Sequence, residues 1–127
     1  MCAMWCRASF GSLHRAGARL AAGSDWPVSS PDPLTGIHVA VNRKLPDAGA
    51  EVPALLPREA LDLVAALAAY TSGSAFVNHA DDTGQIAPGM RADLAVLDRD
   101  PFAGPPEEIA STKVIATYVD GREVYTA

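Results

Sequence analysis

Clusters of lysine and arginine are missing from this chain of 127 residues: 10 basic residues are scattered among 15 acidic ones, for a formal charge of -5. Without a basic footprint no nucleic-acid partner is expected. Long apolar runs are missing too. Nothing approaches the ~18 residues of a spanning helix, so no membrane partner is expected. The opening MCAMWCRASF lacks the basic start and long apolar middle of a secretory signal, which makes the cytoplasm the expected compartment. Cysteine is confined to Cys2 and Cys6. Two such residues with no second pair do not make a zinc site, and reduced thiols in an irregular terminus are expected. The three histidines, His14, His38 and His79, form no pair at i,i+2 or i,i+4. Both a His-x-His pair and a His-Glu-x-x-His helix are therefore excluded. Ser72 and Ser74 in TSGSA do not meet the G-x-S-x-G pattern of a nucleophile elbow, and no glycine-rich phosphate loop is present.

What is there suits a soluble core. Residues are 49% hydrophobic and 20% charged, and the length fits one ordinary domain. In residues 9–19 (SFGSLHRAGAR), Phe10, Leu13 and His14 share a face at helical spacing, and Gly17 is a stop. RLAAGSD follows. Leu20 to Ser24 is short and apolar and reads as a buried parallel strand. Pro27, Pro31 and Pro33 then interrupt regular structure, because each restricts the residue before it. GIHVAVNRK predicts a short helix, and LPDAGAEVPALLP a loop. The clearest helix is predicted from Pro57, a residue suited to the first helical position, to Tyr70, with Leu63, Leu67 and Tyr70 in register and TSGSA as its end.

Beyond Ala80 the pattern changes. Gln85 and Ile86 predict a short strand, and Pro88-Gly89 the centre of a type II turn. DLAVLD is apolar on both faces and predicts a central, buried strand. PPEEIAST predicts one helical turn. Asp120-Gly121 joins two β-prone runs and predicts a hairpin. The expected organisation is an irregular stretch over residues 1–8, helix and parallel strand over 9–80, and a mostly antiparallel sheet over 81–127. A lone parallel strand has no partners, since these need crossover connections. The expected fold class is therefore α/β, as a fragment of a larger fold.

If Leu20 to Ser24 is a barrel or open-sheet strand, Asp25 stands at its C-terminal end, where such folds carry chemistry. A carboxylate there can ligate a divalent metal or take a proton from a water. The alternative is a helix or turn cap, because SDWP also opens turns well. Asp81, Asp82, Asp98 and Asp100 follow turn logic and are expected to be solvated. Of the histidines, His38 comes closest after the Asp25 loop.

GSDWPV, YTSGSAFVNHADDTGQIAPGMRADLAVLDRDPF and VIATYVDGREVY together resemble the C-terminal part of a metal-dependent amidohydrolase. The similarity is to amidohydrolase family 3, which includes N-substituted formamide deformylase-like proteins, and it runs from about Ser9 to the end. It implies a (β/α)8 barrel with a composite β-sandwich. Leu20 to Ser24 would match the eighth barrel strand, and Ile37 to Arg43 and Pro57 to Tyr70 would match helices closing the barrel. The runs around Ala92 to Leu97, Val114 to Val119 and Glu123 to Tyr125 would match the sandwich. Asp25 would be both metal ligand and catalytic carboxylate, holding a water whose pKa the metal lowers to about 7 and passing its proton to the leaving nitrogen. Trp26 would touch the substrate, a small amide-like molecule, and Trp26-Pro27 would shape the rim. The cofactor implied is a divalent metal, zinc by expectation. One candidate ligand falls short of the three a catalytic site takes, so the chain alone is not expected to hold metal or to hydrolyse a carbon–nitrogen bond. The other expectation is a non-catalytic piece that associates with a partner, or with itself, through exposed barrel edges.

Overall fold

Where the apolar positions recur at helical spacing, helices form, and their ends are set by side chains that satisfy the free backbone N–H groups. The computed structural model describes residues 9–127, so Cys2, Cys6 and the stretch 1–8 lie outside the described residues. Helix α1 spans Phe10–Arg15 and ends before Gly17, whose φ is +86°. Helix α2 spans Pro33–Asn42 and starts earlier than the prolines suggested. Pro33 occupies its first turn, where a missing N–H costs nothing. Asp32 caps it, accepting from the Leu34 N–H at 2.9 Å and the Thr35 hydroxyl at 3.2 Å. What reads as a breaker is thus a start signal.

The expected Pro57 to Tyr70 helix is displaced. Pro57–Glu59 form only a 3-10 turn. The chain then extends so that Leu61, buried, donates its N–H to the Ala40 carbonyl at 3.0 Å. Asp62 caps the helix proper, accepting from the Ala65 N–H at 2.7 Å. Helix α3 spans Leu63–Ala68, passes through a π turn at Ala69–Gly73, and continues as α4 over Ser74–Val77. TSGSA lies inside this run rather than ending it. Asp62→Ala is expected to cost about 1 kcal/mol, read as a lower urea midpoint, because it removes the side-chain cap at the N-terminus of that run.

The described residues contain one sheet, three-stranded and antiparallel, in the order β1 (Leu94–Leu97), β2 (Val114–Val119), β3 (Arg122–Thr126). Leu94 faces Tyr118, and Thr117 faces Tyr125, with a bulge in each pairing. DLAVLD is therefore an edge strand rather than a central one, and Ala95 and Val96 are exposed. The hairpin is as expected. Asp120 and Gly121 have φ of 56° and 75°, the pair of positive values a two-residue loop needs. The Asp93 carboxylate steadies it by accepting the Asp120 N–H at 2.8 Å. Pro88-Gly89 forms its turn, the Met90 N–H reaching the Ala87 carbonyl at 3.1 Å. Gln85 and Ile86 form no strand, and Ile86 is 90% exposed. A 3-10 helix spans Pro106–Ser111 where one helical turn was expected.

Leu20 to Ser24 is extended but pairs with no strand among the described residues, and Ala21 and Gly23 are exposed. It is not buried on both faces, because a parallel strand has ladder and cover only where neighbours supply them. The core cluster joins Leu34, Ile37, Leu61, Ala66 and Ile109, with Phe10, Leu20, Leu97 and Val114 packed on it. Ile109 carries the 3-10 helix into this cluster and so ties the sheet to α2. No helix among the described residues is long and apolar enough to cross a membrane.

Candidate functional site

The segment 18–24 ends in a tight turn. Asp25 adopts φ of 51°, a left-handed conformation that aspartate tolerates better than most residues, and its carbonyl accepts the Val28 N–H at 2.7 Å. The Trp26-Pro27 bond inside this turn is cis. Ser24 braces both sides of the aspartate. Its hydroxyl accepts the Trp26 N–H at 3.3 Å, and its carbonyl accepts the Ser29 hydroxyl. The Asp25 carboxylate is exposed and makes no hydrogen bond or ion pair among the described residues. The alternative reading, a turn opened at Asp25, holds for the backbone, since residues 25–28 form a turn; the side chain itself caps no backbone N–H among the described residues.

The neighbours of Asp25 in the chain, Ser24 and Trp26, line a mostly apolar cleft of about 460 Å³ together with Val28, Val39, Leu45 and Tyr70; Asp25 itself is not part of its lining. Trp26, on the rim, is 67% exposed. Tyr70 reaches across to α2 at Gly36, where any Cβ would overlap its hydroxyl oxygen. Burial, with the Asp32 charge adding to it, pushes the Tyr70 phenol above its ordinary value, so it stays neutral. The sequence places Tyr70 only on a helix face. Its part in the cleft depends on Gly36, 34 residues away in sequence, and no local pattern announces it.

The other candidates do not converge on Asp25. His14 and His79 are exposed, the latter in a turn after α4. Asp81 and Asp82 lie in a turn, with the Asp82 carbonyl accepting the Arg91 N–H at 2.7 Å. Asp98 accepts the Lys113 N–H at 2.9 Å and pairs with Arg99; the backbone bond is the chief reason its carboxyl titrates below the ordinary range. Asp100 accepts the Phe102 N–H at 2.9 Å. The Ser72 hydroxyl turns back to the Ala68 carbonyl at 3.3 Å. Among the described residues no group of three or more His, Cys, Asp or Glu could hold a metal ion, so by themselves they do not fit the divalent metal that the resemblance implies.

His38 is 1% exposed, on the face of α2 that meets the 3-10 helix, and neither ring nitrogen has a hydrogen-bond partner among the described residues. Burial holds its pKa below the ordinary 6.5; Glu107 on the facing helix opposes the shift, and Lys44 adds to it. The unfolded chain then binds more protons than the folded one between the two pKa values. Stability is complete above about pH 6.5 and falls as the pH drops through the folded value, at up to about 1.4 kcal/mol per unit. Urea midpoints taken from about pH 7 to pH 5 should decline in this window, and His38→Leu should flatten the decline.

The profile of the amidohydrolase family matches residues 7–125 of this chain. The protein YtcJ of Bacillus subtilis (strain 168) is 37% identical over 115 residues, which cover 90% of this chain and 22% of that protein. Protein LONG AFTER FAR-RED 3 of Arabidopsis thaliana is 36% identical over 119 residues, 91% of this chain and 19% of that protein. The N-substituted formamide deformylase of Arthrobacter pascens is 38% identical over 111 residues, 87% of this chain and 20% of that protein. The chain spans about a fifth of the length of these curated relatives. No solved structure matches it at a significant level.

Proposed function

Because this chain belongs to the amidohydrolase family, we propose that it is the part of a carbon–nitrogen hydrolase that carries the Asp25 carboxylate. In this reading residues 9–80 are the last strand and helices of a β/α barrel, and residues 81–127 are strands of a composite β-sandwich. The observation that carries the proposal is a solvent-facing carboxylate without partners among the described residues, held at the tip of an extended segment between two residues, Ser24 and Trp26, that line an apolar cleft. A carboxylate so placed accepts a proton from an attacking water and returns it to the departing nitrogen. Trp26, on the rim, contacts the substrate, a small amide-like molecule; the Arthrobacter relative is named for N-substituted formamides. Asp25 is one donor to a divalent metal, zinc by expectation, whose other ligands come from chain beyond these 127 residues. Such a metal supplies Lewis acidity and an acidified water.

The 127-residue chain alone is expected to be inactive. A chimaera tests the reading: the matched fifth of the Arthrobacter deformylase is replaced by this chain, and deformylation is assayed. Activity that survives the replacement and depends on Asp25 supports the proposal. A folded but inactive chimaera, or turnover by the isolated chain that a chelator abolishes, refutes it.

A second reading, a non-catalytic piece that associates, draws on exposed apolar surface. Trp26, Val64, Ile86 and Val124 are each at least 60% exposed, and both β1 and β3 are sheet edges among the described residues. Size-exclusion chromatography of the chain separates the cases, since a well-behaved monomer argues against association.

A further inference from the structure

We propose that Ser74, with the Ala69 carbonyl beside it, is the positioning device for Asp25, an inference that rests on Asp25 being the working carboxylate. The segment 18–24 has no strand partner among the described residues, yet it is not loose. Ala18 is held to α1, its N–H donating to the Leu13 carbonyl at 3.0 Å, and the ties beyond it, from Arg19 to Ala22, converge on one stretch of helix, residues 69–76. Arg19 donates to the Ser72 carbonyl at 3.1 Å and stacks 4.1 Å from the centre of the Phe76 ring. The Leu20 carbonyl lies against Gly73, where any Cβ would overlap it. Ala22 is tied through both backbone groups. Its N–H donates to the Ala69 carbonyl at 2.9 Å, and its carbonyl accepts the Ser74 hydroxyl at 2.6 Å.

The π turn explains why a helix can do this. A wider turn shifts a carbonyl out of the regular i to i+4 ladder, and such turns recur at functional sites. Here the Ala69 carbonyl accepts from Ala22, outside the helix. It also lies 3.0 Å from the Ser74 hydroxyl, the second acceptor within that group's reach. A hydroxyl has one hydrogen and is small enough to sit half-buried between the two carbonyls, which no apolar side chain could link. Ala22 stands three residues before Asp25, about 10 Å of extended chain. Ser24 holds the turn on the far side of that span. Fixing Ala22 therefore fixes where the carboxylate stands, and a misplacement of about 1 Å at a reacting centre costs about a hundredfold in rate.

The test is residue-resolved amide exchange on the full 127-residue chain. In the unaltered chain the Ala22 amide should be protected, while those of Ala21 and Gly23, both exposed, exchange at open-chain rates. Exchange at Ala22 as fast as at its neighbours overturns the proposal without any variant. In Ser74→Ala the Ala22 amide should exchange about tenfold faster, the loss of one hydrogen bond to a half-buried carbonyl. The Asp25 and Trp26 amide resonances should shift, and the β2–β3 hairpin should exchange as before. Ser74→Thr, which keeps the hydroxyl, should restore the protection. Equal acceleration in the hairpin would mean general loss of stability and would sink the idea, as would a threonine variant no better than alanine. Exchange reads geometry without chemistry. A lost clamp with hydrolysis intact therefore defeats this inference alone, and an intact clamp with activity indifferent to Asp25 defeats only the functional reading.

Discussion

Asp25→Asn in the folded chimaera is expected to lower kcat by about 100- to 10,000-fold with little change in KM, the contribution of a positioned general acid–base group. That is roughly 3–5 kcal/mol of barrier at 1.36 kcal/mol per decade. Asparagine is the informative replacement because the backbone there is left-handed, with φ of 51°. Asp and Asn both visit that region, whereas an ordinary side chain meets a cost of about 1–2 kcal/mol. Asp25→Ala would therefore mix a strained turn with a lost carboxylate. Asn keeps the turn, including the Val28 N–H bond to the carbonyl of residue 25, and removes the charge, the proton-carrying capacity and the carboxylate donor to the metal, so the metal content of the variant is measured beside its rate. A rate within threefold of the parent chimaera would dismiss Asp25 from the chemistry. A raised KM at constant kcat would make it a binding group instead.

The signals that were legible in the sequence are the local ones. Asp120-Gly121 specifies its hairpin because two successive positive φ values are affordable only to such residues. Gly17 ends α1, and Pro88-Gly89 forms its turn, for similar reasons. Asp25 reads as a carboxylate closing an apolar run, and the structure shows it exposed in a turn. Proline was the misleading residue. Asp32-Pro33 is a cap followed by a first-turn proline, and Pro57 begins only a 3-10 turn. In each case the decisive group is an aspartate whose side chain reaches backbone N–H groups, and that competes with turn formation from the same letters. The segment Leu20 to Ser24 shows the other limit. Its composition fits a buried strand, but burial and pairing come from elements elsewhere in space, here a helix about 50 residues later. The π turn, the Ser74 bond and the meeting of Tyr70 with Gly36 are all contacts of that long-range kind.

Those long-range contacts also locate the weakest joint of the fold. The sheet meets the helices chiefly where the 3-10 helix Pro106–Ser111 lies on α2, through Ile109, which is 2% exposed, and the bond from the Asn42 side chain to the Pro106 carbonyl at 2.7 Å. Ile109 touches a cluster made of few residues, so its loss cannot be spread over a large core. Ile109→Ala removes a buried side chain and leaves a cavity, a cost of about 2–5 kcal/mol. Against a total of roughly 5–15 kcal/mol for a folded domain, that is enough to populate unfolded or undocked chain near room temperature. Asn42→Ala should cost less, about 1 kcal/mol, because its partner carbonyl is exposed and water replaces the bond. Ile109→Val should lose only about 0.5–1.5 kcal/mol. Urea denaturation followed by far-ultraviolet circular dichroism and by the amide resonances of the β2–β3 hairpin checks the ranking. The dichroism reports chiefly the helices, and the hairpin resonances report the sheet. Two probes that coincide in the parent chain and separate in Ile109→Ala would show the sheet leaving the helices first. An alanine variant no weaker than the valine one would mean that Ile109 is not the joint.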